Sequence, residues 1–306
     1  MTGSSDATDA LTVDLEAPVD LRASLRPFGR WGDDGIDRWD GTTLVRTLRF
    51  ENRGVVSYVA TAAGDLAHPA LRLTVPAAAS VRSTDIADAL RATFVAVPAD
   101  LARLAAADAR VAQLVSAYPG IVPVLVADPF TALVRSISAQ QVNLAWAATV
   151  RRRLAERYGT RHEIQDTFVY SLHAEAMARA TVEELRALQL TTAKARSVIE
   201  VARAGVAGEL ALNDLVALDD EALIAHLTNL RGIGRWSAEW FLARTLGRPR
   251  VVAGDLGVRK AVGRLYDAGS LPPEDEVRRL TAHWGESATI VQALALHDLA
   301  VAAGNA

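Results

Sequence analysis

The sequence contains no cysteine. This absence excludes disulfide scaffolds, cysteine nucleophiles, iron–sulfur clusters and cysteine-rich zinc sites. Lysine is scarce as well, because Lys194 and Lys260 are the only lysines among 33 Lys and Arg residues. An enzyme that attacks its substrate with a lysine amine is therefore a weak candidate.

Signals for membrane insertion and export are also lacking. No uncharged apolar stretch among the 306 residues reaches the length that spans a bilayer. The first ten residues have neither the basic start nor the apolar core that a signal peptide requires. We therefore expect a cytoplasmic protein without a membrane partner.

Charge is distributed unevenly along the chain. The formal net charge is -3, but eight basic residues oppose two acidic ones between Leu230 and Arg264, a local excess of +6. The stretch from Thr131 to Arg161 is basic too. Two basic stretches in an acidic chain indicate that one face of the protein binds a polyanion such as DNA. Helix faces that are merely exposed to solvent give the same pattern.

The order of apolar patterns predicts an α+β fold. Four alternating runs predict a small antiparallel sheet with one buried face, and they lie at residues 11–17, 43–50, 54–62 and 70–76. A helix follows from Ser83 or Thr84, and every pattern after Ala99 is helical. We predict a disordered tail at 1–12, an N-terminal sheet domain at 13–103 and a mostly helical body at 104–306.

The most informative segment is a helix-hairpin-helix predicted at residues 219–246. An apolar helix ends at Leu230, the turn Arg231-Gly232-Ile233-Gly234 follows, and a second helix begins at Arg235. The glycines leave bare backbone N–H groups at a helix N-terminus, where the helix dipole also favours an anion. The turn therefore predicts a phosphate contact, although an ordinary helix–helix turn can have the same sequence.

An aspartate follows this hairpin at the start of another helix. Asp255 comes after an Arg-rich link and the apolar residues Val251–Ala253, and Leu256 opens the helix. A carboxylate at this point can stabilise positive charge that develops on a substrate and can direct water to it. An aspartate in this position is also an ordinary helix N-cap.

The hairpin and the spaced aspartate resemble the helix-hairpin-helix superfamily of base-excision DNA glycosylases, close to the DNA-3-methyladenine glycosylase II group. The likeness runs through nearly the whole chain, including the sheet unit and the segments 135–143 and 251–266. It implies a DNA repair enzyme that flips alkylated purines, of the 3-methyladenine and 7-methylguanine type, out of duplex DNA. Asp255 is the implied catalytic residue. Hydrolysis of the N-glycosidic bond would release the base and leave an abasic site.

The resemblance also assigns a base pocket. Trp236 stands where bifunctional members carry a Schiff-base lysine, so the implied enzyme is monofunctional. Trp236, Trp240 and Leu256 match positions of the pocket, in which aromatic faces hold a flipped, electron-poor base. Leu256 replaces an aromatic residue of some members. Core packing is the alternative for both tryptophans; we favour the pocket for Trp236 and leave both roles open for Trp240.

The implied DNA contacts come from two places in the chain. They are Gly232, Ile233, Gly234 and Arg235 in the hairpin, and Gln140 and Gln141 in a loop that fills the gap left by the flipped nucleotide. The residue that fills this gap is often apolar, and Gln141 departs from that pattern.

We expect double-stranded DNA as the partner of a monomeric protein. No cofactor is expected, nor a metal bound by side chains, because the histidines lack metal-ligand spacing. The resemblance allows one ion, a monovalent cation at the hairpin carbonyls. Two other functions stay open: a non-catalytic helix-hairpin-helix protein that binds DNA or senses damage, and a glycosylase for oxidised or deaminated bases.

Overall fold

The fold begins with a five-stranded antiparallel sheet. The computed structural model describes residues 8–51, 53–77 and 79–304. The strands are β1 (Thr8–Asp14), β2 (Arg38–Trp39), β3 (Thr43–Phe50), β4 (Gly54–Gly64) and β5 (Pro69–Pro76). They lie in the order β1-β5-β4-β3-β2. In β5, Leu71, Leu73 and Val75 are buried while Arg72 between them is exposed, so the predicted one-sided burial is present.

The first strand starts earlier than the sequence predicted. Thr8 to Thr12, which we had assigned to the tail, pair with residues 72–76 of β5 as the first part of β1. The pairing is possible because backbone hydrogen bonds along the edge of β5 do not require apolar side chains. Residues 1–7 lie outside the described residues.

Helices make up most of the remaining chain. Their bounds are α1 (Leu21–Leu25), α2 (Ser83–Arg91), α3 (Leu101–Ala107), α4 (Ala109–Ala117), α5 (Pro129–Ala139), α6 (Leu144–Tyr158), α7 (Ala174–Ala178), α8 (Val182–Ala187), α9 (Thr192–Val206), α10 (Leu212–Ala217), α11 (Asp220–Thr228), α12 (Arg235–Arg244), α13 (Leu256–Leu265), α14 (Glu274–Thr281) and α15 (Ala288–Ala302). Short 3-10 turns occupy Arg26–Phe28 and Ala282–Ser287. The domain boundary that we predicted between residues 103 and 104 falls inside α3.

Capping side chains explain where several of these helices begin. Asp128 accepts a hydrogen bond from the backbone N–H of Thr131 before α5, and Asn143 accepts one from Trp146 before α6. Thr181 and Glu184 form a capping box before α8. These caps fix where α5, α6 and α8 begin.

A second, two-stranded sheet interrupts the helical body, and the prediction that everything after Ala99 is helical was wrong here. β6 (Gly159–Ile164) and β7 (Thr167–Leu172) form a hairpin directly after α6. Its side chains Ile164 and Val169 pack with Val45 and Val59 of the large sheet. Because this apolar face is completed by residues about a hundred positions away, local periodicity does not reveal it.

Sheet and helices share one hydrophobic core. The same cluster contains Leu44 and Tyr58 of the sheet, Leu133 of α5, Phe241 of α12 and Trp284 near the C-terminus. A helix of the length and apolarity needed to cross a bilayer does not occur among residues 8–51, 53–77 and 79–304.

A buried ion cluster also joins the two parts. Asp37, which lies directly before β2, is paired with Arg46 of β3 and Arg135 of α5, and Asp34 is paired with Arg135 and with Arg151 of α6 at 2.8 Å each. Burial alone would raise the pKa of Asp37, but the two guanidinium groups outweigh it and lower that pKa.

Candidate active site

The predicted helix-hairpin-helix is present as α11, the turn at residues 229–234 and α12. Gly232 has a φ of +78°, and a Cβ at this position would lie 2.1 Å from the hydroxyl oxygen of Ser197 in α9. Both the left-handed backbone and the close approach therefore require glycine. Ile233 is buried in the core rather than presented to a ligand. Contacts with α9 and with the core therefore fix the turn.

Gly234 lies at the open end of the turn. It is the N-cap residue of α12, with φ -95° and ψ 178°, and no side chain caps the helix there among the described residues. Gly234 is exposed, and an added Cβ would have no atom within 4 Å. The backbone N–H groups of the first helical turn point out of the N-terminus of α12 at Gly234. These donors suit an anion.

Arg235 does not present a free guanidinium to DNA. Its Nε lies 3.1 Å from Glu239 Oε1, and its Nη2 lies 3.2 Å from Glu221 Oε1. The Glu239 side chain is only 1% exposed and also pairs with Arg250 and Arg278. The cluster binds α12 to the segment before Asp255 and to α14, so these arginines hold the site together.

Part of the basic charge predicted from the sequence is paired with carboxylates inside the fold. In the first basic stretch, Arg135 and Arg151 are paired with Asp34, which lies between β1 and β2. In the second, Arg248 is paired with Asp220, and Arg250 with Glu239. Asp34 and Asp220 lie outside the two basic stretches, so a count within each stretch does not include them.

The loop between α5 and α6 contacts the hairpin. Gln140 Nε2 donates to the carbonyl oxygen of Gly232 at 2.8 Å and lies 3.3 Å from Ser237 Oγ. Gln141 follows with a φ of +54°, a conformation that is costly for a non-glycine residue, and it is exposed. Gln140 thus ties the loop to the hairpin, and Gln141 lies at the surface beside it.

Lys194 supports the end of α5 in the same region. Its Nζ donates to the carbonyl oxygen of Ser138 at 2.9 Å, and burial lowers its pKa. The Lys194 side chain is therefore half-buried and bonded to the C-terminal end of α5, where the helix dipole favours a cation.

Asp255 and Trp236 meet in space, as the resemblance implies. Asp255 is the N-cap residue of α13, and its Oδ1 accepts the backbone N–H of Val258 at 3.0 Å. Its Oδ2 accepts the indole N–H of Trp236 at 3.2 Å. Both carboxylate oxygens are thus oriented by donors, while the residue stays partly exposed. The N-cap role and a catalytic role are compatible in this geometry.

Two residues that the sequence did not single out hold the segment before Asp255. Gln292 Oε1 accepts the backbone N–H of Val252 at 2.7 Å, and Thr289 accepts the N–H of Arg250 at 3.2 Å. Both lie in α15 and are buried. The available signal was a glutamine within an otherwise apolar helix, since a buried amide needs a partner.

The other two pocket candidates lie in different surroundings. Trp240 packs against the hydrophobic core, which favours the packing role. Leu256 is 55% exposed in the first turn of α13, next to Asp255. The structure therefore places Trp236 and Leu256 beside Asp255, whereas Trp240 packs against the core.

No metal site is apparent where the chain is described, since no three His, Cys, Asp or Glu side chains are grouped to hold an ion there. The Gly232 carbonyl already accepts a hydrogen bond from Gln140. The monovalent cation at the hairpin carbonyls stays a prediction.

The chain is similar to one protein family and to several known proteins. Residues 134–287, half of the chain, match the family model described as "HhH-GPD superfamily base excision DNA repair protein". A solved structure, the 3-methyladenine DNA-glycosylase from Archaeoglobus fulgidus, superposes with a TM-score of 0.80 at 25% identity and covers 94% of this chain and 98% of that chain.

Two curated relatives are similar over shorter segments. The DNA-3-methyladenine glycosylase of Bacillus subtilis is 28% identical over 172 residues, which are 55% of this chain and 56% of the relative. DNA-3-methyladenine glycosylase 2 of Escherichia coli is 31% identical over 132 residues, 43% of this chain and 46% of the relative. The chain thus spans about half the length of the curated relatives that it matches.

Proposed function

Because this chain belongs to the HhH-GPD superfamily of base excision DNA repair proteins, we propose that it is a monofunctional DNA glycosylase. Its substrates are alkylated purines of the 3-methyladenine and 7-methylguanine type in double-stranded DNA. It flips the damaged base and hydrolyses its N-glycosidic bond, which leaves an abasic site. The names of the relatives from three organisms support this substrate class.

One observation carries the proposal: the Asp255 carboxylate lies next to the hairpin, and a hydrogen bond orients each of its two oxygens. Trp236, two residues after Gly234, donates its indole N–H to Asp255. A DNA strand whose phosphate met the first turn of α12 would therefore pass close to Asp255. The hairpin, the tryptophan and the aspartate all come from one chain, which supports action as a monomer.

The reaction needs little more than this carboxylate. As the bond between the sugar carbon and the base nitrogen breaks, the base leaves with the electron pair, and positive charge develops on the sugar. The ionised Asp255 stabilises that charge. Water then bonds to the sugar carbon and loses a proton to the carboxylate or to solvent. An N-alkylated purine is cationic and becomes neutral as it leaves, so no strong general acid is required.

The surroundings of Asp255 suit a flipped base. Trp236 offers an aromatic face, and Leu256 an apolar side chain exposed to solvent. Aromatic faces attract cationic rings, and stacking holds bases of any sequence. Trp236 also occupies the position at which an attacking lysine would be required, which supports hydrolysis without a covalent intermediate.

A release assay on methylated duplex DNA tests the proposal. We expect the wild-type protein to release methylated purines and Asp255→Asn to release none, because an amide carries no charge to stabilise the sugar cation. Asparagine is an equally good N-cap residue, so α13 should remain capped. Affinity for duplex DNA with an abasic-site analogue should stay within a few-fold of wild type.

A matched control separates catalysis from capping. Asp20 caps α1 through a 2.9 Å hydrogen bond from the N–H of Ala23 and takes no part in the proposed site. Asp20→Asn should therefore keep full release activity. Turnover by Asp255→Asn would remove Asp255 from the mechanism, and tight DNA binding without release by the wild type would favour a non-catalytic DNA-binding protein.

A further inference from the structure

The first turn of α13 leaves little room for a side chain at Gly257. This residue stands between Leu256 and Val258, and a Cβ built on it would lie 3.1 Å from Asp255 Oδ1 and 3.2 Å from Leu296 Cδ2. Ordinary van der Waals contacts of a carbon atom begin at roughly 3.5 Å. An added methyl group would therefore push one of these two neighbours by a few tenths of an ångström.

The glycine is not explained by backbone conformation. Gly257 lies within the helix Leu256–Leu265, and its φ is outside the left-handed region. In such a position alanine forms helix better than glycine does. The sequence thus carries a residue that is unfavourable for the helix at a place where the only obstacle to alanine is contact with Asp255 and Leu296.

Of the two neighbours, the carboxylate lies closer to the added methyl group, at 3.1 Å against 3.2 Å, and both side chains are partly exposed. Leu296 packs against the hydrophobic core from α15, which itself packs on α13. The Asp255 carboxylate instead accepts two hydrogen bonds, from Val258 and Trp236. A methyl group at Gly257 would therefore move Oδ1 away from the N–H of Val258 and disturb the bond from Trp236.

We propose that Gly257 is a positioning residue whose missing side chain sets the place of the Asp255 carboxylate beneath the sugar. This inference rests on the proposed glycosylase function, in which that carboxylate stabilises the sugar cation. Since a misplacement of 1 Å can cost about a hundredfold in rate, a shift of a few tenths of an ångström should cost roughly tenfold.

The variant Gly257→Ala tests the inference with two readouts. We expect its single-turnover release of 7-methylguanine to fall roughly tenfold, while its affinity for duplex DNA with an abasic-site analogue stays within twofold. Its melting temperature should not fall, because alanine favours the helix. Amide hydrogen exchange at Val258 should become faster, since that N–H loses its bond to Asp255.

Gly205→Ala is the matched control. Gly205 is also a helical glycine, in α9, and its Cβ would meet the Cβ of Ala174 at the same 3.1 Å, far from Asp255 in sequence and bonded to none of the site residues. We expect this variant to keep its release rate. A Gly257→Ala protein that keeps its rate, or that loses rate only together with melting temperature or DNA affinity, overturns the inference.

The same experiment distinguishes failure of the inference from failure of the proposed function. If the wild type releases no base, the glycosylase function fails, whereas exchange at Val258 still reports whether a methyl group displaces the carboxylate. If the wild type is active and exchange at Val258 is unchanged in Gly257→Ala, the positioning role of Gly257 is wrong.

Discussion

Trp236 would make two separable contributions to the proposed reaction: its indole N–H, which is bonded to Asp255, and its aromatic face, on which the flipped base would stack. The hydrogen bond between Nε1 and Asp255 Oδ2 measures 3.2 Å. Trp236→Phe removes this bond and keeps an aromatic face, whereas Trp236→Ala removes both. Comparison of cationic and neutral bases then reveals which contribution depends on the charge of the base.

The expected sizes follow from the geometry. Hydrogen bonds to a charged group contribute about 1.5 to 3 kcal/mol, and a length of 3.2 Å at a partly exposed carboxylate favours the lower limit. Trp236→Phe should thus lower kcat/KM by roughly tenfold for every substrate. Trp236→Ala should also lose roughly 1 to 3 kcal/mol of stacking and cation–π energy for 3-methyladenine or 7-methylguanine.

The assay compares kcat/KM for 7-methylguanine and for hypoxanthine, which is neutral and similar in shape. Hypoxanthine lacks the cation–π contribution, so its excision should fall less in Trp236→Ala. Because Trp236 is half-buried, thermal unfolding must first show that each variant is folded. An equal fall for both bases in a folded Trp236→Ala protein would mean that Trp236 is a packing residue and that discrimination lies elsewhere.

Two further predictions concern the product and the hairpin. Borohydride should trap no covalent protein–DNA adduct, because Trp236 replaces the lysine of bifunctional members; an efficient adduct would instead point to Lys194 or Lys260. Gly234→Val should leave the protein folded, because its Cβ has open space, and should weaken binding to damaged and undamaged duplexes alike in a fluorescence-anisotropy titration. Gly232→Ala is the contrast, since it should lower the melting temperature through its clash with Ser197. Loss of affinity for damaged DNA alone in Gly234→Val would assign the hairpin to base recognition.

Local sequence signals predicted the helices around the site well. α13 begins at Leu256, directly after Asp255, as predicted, and α6 (Leu144–Tyr158) lies in the stretch predicted to be helical. Both starts depend on a capping side chain one residue before the helix, which is a local property. Where the residues that determine the start of a helix lie within one helical turn, the sequence alone predicts that start.

The β6–β7 hairpin is an element that local sequence signals did not predict. Its turn has Gln165 at a φ of +51°, where glycine or asparagine would have marked a hairpin. Arg38, in β2 of the large sheet, donates to the carbonyl oxygen of Phe168 at 2.6 Å and lies over the Phe168 ring. Contacts from far along the chain thus stabilise a turn that its own residues do not favour.

The candidate site shows the same division between local and distant contacts. The resemblance singled out Asp255 and Trp236, whereas Gln140 and Gln292 bond segments that are distant in sequence. Gln140, expected to contact DNA, donates to the Gly232 carbonyl in this structure, and its DNA contact stays a prediction. Such support is specified by three-dimensional neighbours, which no single local pattern contains.

The helix α12 connects these observations, because its first two turns carry three different contacts. Gly234 and the N–H groups after it offer a site for an anion, Trp236 bonds Asp255, and Glu239 one turn later is bonded to Arg250 and Arg278. If Arg235 and Arg250 were free cations, they would attract any phosphate nearby. Because a buried carboxylate holds them instead, they fix α12 against the segment that ends at Asp255. The distance between the anion site and the carboxylate is then set by packing within the protein, which is the condition for placing one particular sugar over Asp255.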